Sequence, residues 1–275
     1  MRRLTILTIA AVLVLGLLVA PASAKFTNNM KNDVYGIAQG GVANGIPTAQ
    51  DDNGPIPDIN DAINQLLGTN YGHNKDVDNR FVSIDTIWKQ LNGGAALIGL
   101  TAANSNTLGV YTDLGTGAAR TAILGPNSGF GFAGDGTAAN PYPAGGISHA
   151  VVPHNGTFGF YLESTRNNTT HTWFSEYSLN AGSYDHMLTF ALPELAGQTV
   201  YIDKGNGPEL YTFHNNPYLI CFEDKPFANG TLGDEDYDDM MFVVDKVAPV
   251  PEPATMLLIG GGLLGLGGLR RRFRG

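Results

Sequence analysis

The chain has 275 residues and a formal net charge of −9, with 16 Lys and Arg against 25 Asp and Glu and a single cysteine, Cys221. The acidic balance argues against nucleic acid or an anionic lipid surface as partner, and a lone cysteine excludes an intramolecular disulfide. Charged residues are only 15% of the chain and glycines number 36, the composition of a secreted, turn-rich β protein.

Arg2 and Arg3 give a basic start, Leu4 to Ala20 is almost wholly apolar, Pro21 breaks the run, and Ala22-Ser23-Ala24 supplies small residues. Basic, apolar and A-x-A regions in that order predict a secretory signal peptide over residues 1–24, with signal peptidase as its partner. A retained membrane anchor is the competing reading, but an anchor has no need of the small residues at Ala22 and Ala24.

Residues 25–79 read as a loop and helix element. Ile59, Ala62, Ile63, Leu66 and Leu67 fall on one face of a helix from Asp58 to Leu67. Asp58 can cap its start and Gly68 can end it. Residues 80–248 read as one antiparallel β-sandwich, jelly-roll-like, with the short helix laid on it. Its predicted strands are Phe81–Trp88, Ala95–Leu100, Leu108–Leu114, Thr157–Glu163, Met187–Leu192, Thr199–Asp203, Tyr218–Glu223 and Met240–Asp245. Phe158, Phe160 and Leu162 alternate with Thr157, Gly159 and Tyr161, as a half-buried strand requires. Gly125 to Gly146 is rich in Gly, Ala, Pro and Asn and reads as a long loop. Cys221 lies in an apolar run and reads as a small core residue.

At the far end, Ala254 to Leu269 is a 16-residue uncharged stretch rich in Leu and Gly, followed by Arg270, Arg271, Arg272 and Arg274. A single hydrophobic helix is expected here, about 24 Å long at 1.5 Å per residue, short for a bilayer core of about 30 Å yet able to insert transiently in the inner membrane. The arginines would stay on the cytoplasmic side and leave the body outside. Between the two ends, residues 25–250 keep 10 basic and 24 acidic residues, a net charge of −14.

Just ahead of the apolar stretch stands Pro251-Glu252-Pro253. Pro-Glu-Pro, a short apolar helix and a terminal arginine cluster, in that order over residues 249–275, resemble the PEP-CTERM sorting signal. The resemblance implies cutting by an exosortase-type membrane protease, in the manner of other C-terminal signals whose apolar tail is removed. The chain would then be exported, pass the periplasmic face of the inner membrane, and end at the cell surface or outside the cell. An ordinary single-span anchor is the alternative.

The segment most suggestive of chemistry is Phe222-Glu223-Asp224, a loop, then Gly233-Asp234-Glu235-Asp236-Tyr237-Asp238-Asp239 before a second apolar strand. If 234–238 is extended, Asp234, Asp236 and Asp238 point to one side, since side chains alternate with period two. Glu223, Asp224 and Asp239 stand at the adjoining strand ends. Crowded carboxylates of this kind suit Ca²⁺, which takes six to eight oxygens at about 2.3–2.6 Å. The plain alternative is a solvated acidic loop whose aspartates bond turn amides. The same segment resembles a C-terminal domain of unknown function, over about 158–245, that often precedes PEP-CTERM tails. Its pattern is Phe-Glu-Asp, then Gly-Asp-x-Asp-Tyr-Asn-Asp; this chain departs from it with Asp238 where Asn is usual. The resemblance implies a fold and a compartment and carries no reaction.

Other constellations are weaker. Asp51 to Asp61 faintly resembles a calcium loop entering a helix, but Pro55, Ile56 and Ala62 occupy positions where the EF-hand pattern wants an oxygen ligand, Gly and Glu. The six histidines make no zinc-spaced cluster, and no nucleophile-elbow or phosphate-loop motif occurs. The expectation is a non-enzymatic envelope or matrix protein, stabilised by Ca²⁺ or not; the residues themselves supply export and the tail, and the resemblance to PEP-CTERM proteins implies extracellular polysaccharide as an added partner. A carbohydrate-binding module stacking sugars on Trp88, Trp173 and tyrosines is the alternative; a secreted hydrolase with paired carboxylates is the third.

Overall fold

The structure is a computed structural model. It describes residues 59–69, 80–82, 86–91, 95–102, 105–127, 134–147, 152, 156–214, 216–228, 231–232 and 237–250. Both apolar ends, and with them Ala22, Ala24, Pro251, Glu252, Pro253, Arg270, Arg271 and Arg272 and the expected C-terminal helix, lie outside the described residues. Among the described residues, no helix is long and apolar enough to cross a membrane.

The described chain is mainly β. One helix, α1 (Ile59–Leu67), precedes β1 (Trp88–Gln90), β2 (Ala95–Ala102), β3 (Ser105–Tyr111), β4 (Arg120–Asn127), β5 (Tyr142–Ile147), β6 (Thr157–Arg166) and β7 (Thr169–Phe174). Then come β8 (Met187–Ala191), β9 (Thr199–Asp203), β10 (Pro208–Thr212), β11 (Tyr218–Phe222), β12 (Phe227–Ala228), β13 (Thr231–Leu232), β14 (Met240–Asp245) and β15 (Val247–Pro249). One sheet runs β15-β1-β6-β3-β4, with β7 also paired to β6. The other runs β10-β9-β5-β2-β14-β11-β8, antiparallel except where β5 and β9 pair in parallel through Tyr142 and Ile202. A two-stranded ribbon joins β12 and β13.

The two sheets pack face to face. Phe158, Phe160, Leu108 and Val110 of the first meet Ile220, Phe222, Phe242 and Val244 of the second in one buried cluster. Phe160 and Phe242 touch edge to face across the gap at 5.6 Å, and Trp88 meets Tyr218 likewise at 5.2 Å. The opposite face of the second sheet buries Leu188, Phe190, Leu219, Cys221, Met241 and Val243 against Ile59, Ala62, Ile63 and Leu66 of α1. The strands β11 and β14 are thus covered on both sides, which is why they read as unbroken apolar runs rather than alternations. Gly68, with φ 63°, ends α1 in the left-handed conformation its position demands.

The strand map departs from expectation in instructive places. Of the predicted strand Phe81–Trp88, the described residues show an isolated bridge, Phe81 to Phe190, and the start of β1 at Trp88, while 83–85 lie outside the described residues. The predicted loop 125–146 contains the end of β4 and most of β5. Glycine is needed there for close approach: a Cβ on Gly145 would meet the Ile123 carbonyl oxygen at 2.6 Å. The strand β7 was hidden by its polar sequence, but Asn167 and Asn168, at φ 49° and 60°, form a two-residue hairpin that pairs Arg166 with Thr169. The strand β10 is an exposed sheet edge opened by Pro208, where a missing N–H costs no ladder bond.

Candidate functional site

The last pair of β11 and β14 is Phe222 with Met240. Beyond it, Glu223-Asp224 leave one strand as Asp238-Asp239 enter the other. All four are buried. Carboxylate oxygens of Glu223, Asp224 and Asp239 lie within 4.8 Å of one another. The reason Asp238 and Asp239 turn inward is Tyr237. It adopts φ 57°, is buried, and donates its hydroxyl to the Asp185 carbonyl at 2.7 Å. A left-handed residue interrupts an extended run, so the simple alternation expected for 234–238 fails at Tyr237. Asp234 and Asp236 lie outside the described residues.

The first sheet closes over this cluster. Asn106 of β3 and Ser164 of β6 are cross-strand partners, and both reach the Asp224 carboxylate. Asn106 Nδ2 donates to Asp224 Oδ2 at 3.2 Å, and Ser164 Oγ donates to the same oxygen at 3.1 Å. Asn106 Nδ2 also donates to the Asp239 carbonyl at 3.1 Å. The Asp239 carboxylate accepts from the Asp224 amide at 3.0 Å, and Glu223 accepts from the Lys225 amide at 3.1 Å. The Asn106 Oδ1 atom is buried without a hydrogen-bond partner among the described residues.

Trp173 of β7 forms the adjoining wall. Its indole N–H donates to the Asp224 carbonyl at 3.0 Å, and its ring stacks on His186 with centroids 3.9 Å apart. His186 Nδ1 donates to the Glu223 carbonyl at 3.0 Å, which fixes the neutral tautomer because a carbonyl only accepts. Burial pushes the His186 imidazole down to about 4, against a weaker opposing effect of that carbonyl. The Cys221 thiol is pushed well up, chiefly by burial and further by the Asp238 charge. That thiol is no nucleophile.

Of the six acidic residues singled out from sequence, the structure therefore brings Glu223, Asp224 and Asp239 together and buries Asp238 next to Asp239 in the chain. Asn106, Ser164, Trp173 and His186 were not foreseen. The nearest of these to Asp224 in the chain, His186, is still 38 positions away, and no local motif announces any of them. The second sequence candidate, Asp51–Asp61, lies mostly outside the described residues. Trp88 is fully buried and Trp173 is 5% exposed, so neither tryptophan of the chain offers a sugar-stacking platform.

The hard-oxygen character of the cluster suits a cation such as Ca²⁺. It holds three carboxylates and one buried carboxamide, with no sulfur or imidazole among the groups whose oxygens converge. Comparison with known proteins bears on the other end of the chain. Residues 249–272 match the family model of the PEP-CTERM protein-sorting motif. No curated protein matches the chain at a significant level. The match covers only the tail, and it marks an exported chain that transits the membrane and is sorted to the cell surface as an exosortase substrate.

Proposed function

We propose that this chain is a non-enzymatic envelope or extracellular-matrix protein. A signal peptidase removes residues 1–24, an exosortase-type protease removes the tail, and the β body is delivered outside as a structural element. The observation that carries this reading is the sorting motif at residues 249–272. The body between the ends, with net charge −14, suits an extracellular, soluble partner to polysaccharide rather than a nucleic-acid binder. Its chain passes repeatedly between the two sheets, which supports a jelly-roll-like sandwich.

In this reading Ca²⁺ fastens the sheets. Glu223, Asp224 and Asp239 would hold it from the second sheet. Asn106, with its amide turned over, would offer Oδ1 from the first sheet in place of Nδ2. That turn would replace a donor by an oxygen in a nest of oxygens, an arrangement a cation favours and an empty cavity does not. A carbohydrate-binding role would have to use tyrosines or loops, since both tryptophans are buried.

The test is fractionation of the native cells with and without the exosortase-type protease. With it, the body is recovered at the surface or in the medium, lacking its tail. Without it, tailed protein accumulates in the inner membrane. Tailed protein at the surface in both strains would overturn the sorting half. Calorimetric titration of the recovered body with Ca²⁺ tests the other half, and absence of heat and of any shift in melting temperature would end it.

A further inference from the structure

The sorting match begins at Pro249, and Pro249 is also the last residue of β15. Residues at the head of the recognition segment are therefore part of the folded body. The pairing is tight for so short a strand. Trp88, Lys89 and Gln90 face Pro249, Ala248 and Val247. The Val250 amide donates to the Ile87 carbonyl at 2.7 Å, and the Leu91 amide donates to the Lys246 carbonyl at 2.7 Å. Those two bonds mark the hydrogen-bonded pairs of the ladder, so Pro249 opposite Trp88 falls on a non-hydrogen-bonded pair. The proline thus costs the ladder no donor.

The strand is also the seam between the sheets. The chain leaves β14 of the second sheet, turns at Lys246 with φ 61°, and enters β15 of the first sheet at Val247, which is buried in the shared core. On its far side β15 has no strand partner among the described residues. Two states of residues 249 and 250 therefore compete. In one they are hydrogen-bonded to β1; in the other they are extended in the cleft of a protease, a few ångströms from Pro251. A folded body pinned at Val250 leaves no spacer between itself and the motif.

We propose that β15 is a releasable strap: it must peel from β1 before the exosortase-type protease cuts, so body folding and tail processing are coupled through this one strand. The inference rests on the reading that the tail is processed by such a protease. Edge strands of this length open locally without global unfolding, so the coupling slows processing rather than abolishing it.

The test uses the full chain in cells that process it. Gln90 and Val247 form a non-hydrogen-bonded pair, the geometry in which Cβ atoms come closest and a disulfide fits. Val247 lies outside the matched segment. Gln90→Cys with Val247→Cys, oxidised at the periplasmic face of the inner membrane before the tail is cut, should be processed about ten-fold or more slowly than wild type, and reductant should restore the rate. A third protein carries the same cross-link plus a flexible Gly-Ser segment of about six residues and a second Pro-Val pair after Val250. It should be processed at the wild-type rate while still oxidised. Processing of the first cross-linked protein at the wild-type rate would overturn the strap. So would arrest of the third, because the cross-link would then act other than by holding the motif to β1. Failure to cut the wild-type tail at all would instead sink the processing reading on which the strap depends.

Discussion

Replacing Asp224 by Ala is the sharpest test of the clasp between the sheets. Asp224 is 4% exposed, and its Oδ2 takes hydrogen bonds from Asn106 Nδ2 and Ser164 Oγ on the facing sheet. Truncation strands the Ser164 hydroxyl and one of the two Asn106 Nδ2 hydrogens, the other still meeting the Asp239 carbonyl, and a buried unsatisfied group costs about 1–3 kcal/mol. The expected loss is therefore about 2–6 kcal/mol for the pair, a large share of a domain stability of about 5–15 kcal/mol. The assay is urea unfolding of the processed body in chelator and in excess Ca²⁺. It is followed by tryptophan fluorescence, to which Trp88 and Trp173 both contribute and of which Trp173 bonds the Asp224 carbonyl through its indole N–H. Wild type should gain about 2–3 kcal/mol when Ca²⁺ is present at roughly 100 times its dissociation constant. Asp224→Ala should show the loss in chelator and no gain from Ca²⁺. A midpoint in chelator equal to wild type would refute the buried hydrogen-bond argument. An equal Ca²⁺ gain in both proteins would refute Asp224 as a ligand.

Other outcomes follow from the packing. His186 ordinarily titrates near 6.5 and is held near 4 when folded. Between those values the unfolded chain binds a proton that the folded one refuses, so this residue costs stability as pH falls through the window, by up to about 3 kcal/mol. His186→Phe, which keeps a ring against Trp173, should flatten that part of the pH dependence of chemical denaturation; identical slopes in the two proteins would contradict it. Phe160→Ala removes a fully buried ring that touches Trp88, Phe158 and Phe242, and should cost about 3–5 kcal/mol by the same assay. Gly159→Ala drives a Cβ to 2.2 Å from the Tyr111 ring. Tyr111 is fully buried and cannot swing away, so a loss of about 1–3 kcal/mol is expected by thermal unfolding.

How much of this was legible in the sequence depends on where the physical signal resides. The helix Ile59–Leu67 announces itself because its apolar residues recur at helical spacing on the face that meets the second sheet. The runs Tyr218–Phe222 and Met240–Asp245 are legible because burial on both faces leaves nothing polar in them until Asp245. The strands Tyr142–Ile147 and Thr169–Phe174 are not. The first is glycine-rich because a backbone must pass close by, and the second is polar because much of it faces solvent.

The acidic cluster divides in the same way. Glu223, Asp224 and Asp239 could be read from their places at strand ends. Asn106 could not, since it lies 118 residues from Asp224 and only the β3–β6 pairing delivers it. Tyr237 shows the reverse case. Its positive φ is paid for by a buried ring and a hydroxyl bonded to Asp185, neither of which a period-two pattern encodes.

The account as a whole turns on two cuts that release a folded β body outside the membrane. Intact-mass measurement of the protein recovered from the surface or medium of native cells reads both cuts at once. The mass should correspond to a chain that begins at Lys25 and has lost the apolar stretch and arginines that follow Pro253. A recovered mass matching all 275 residues, with Arg2 and Arg272 still present, would contradict it.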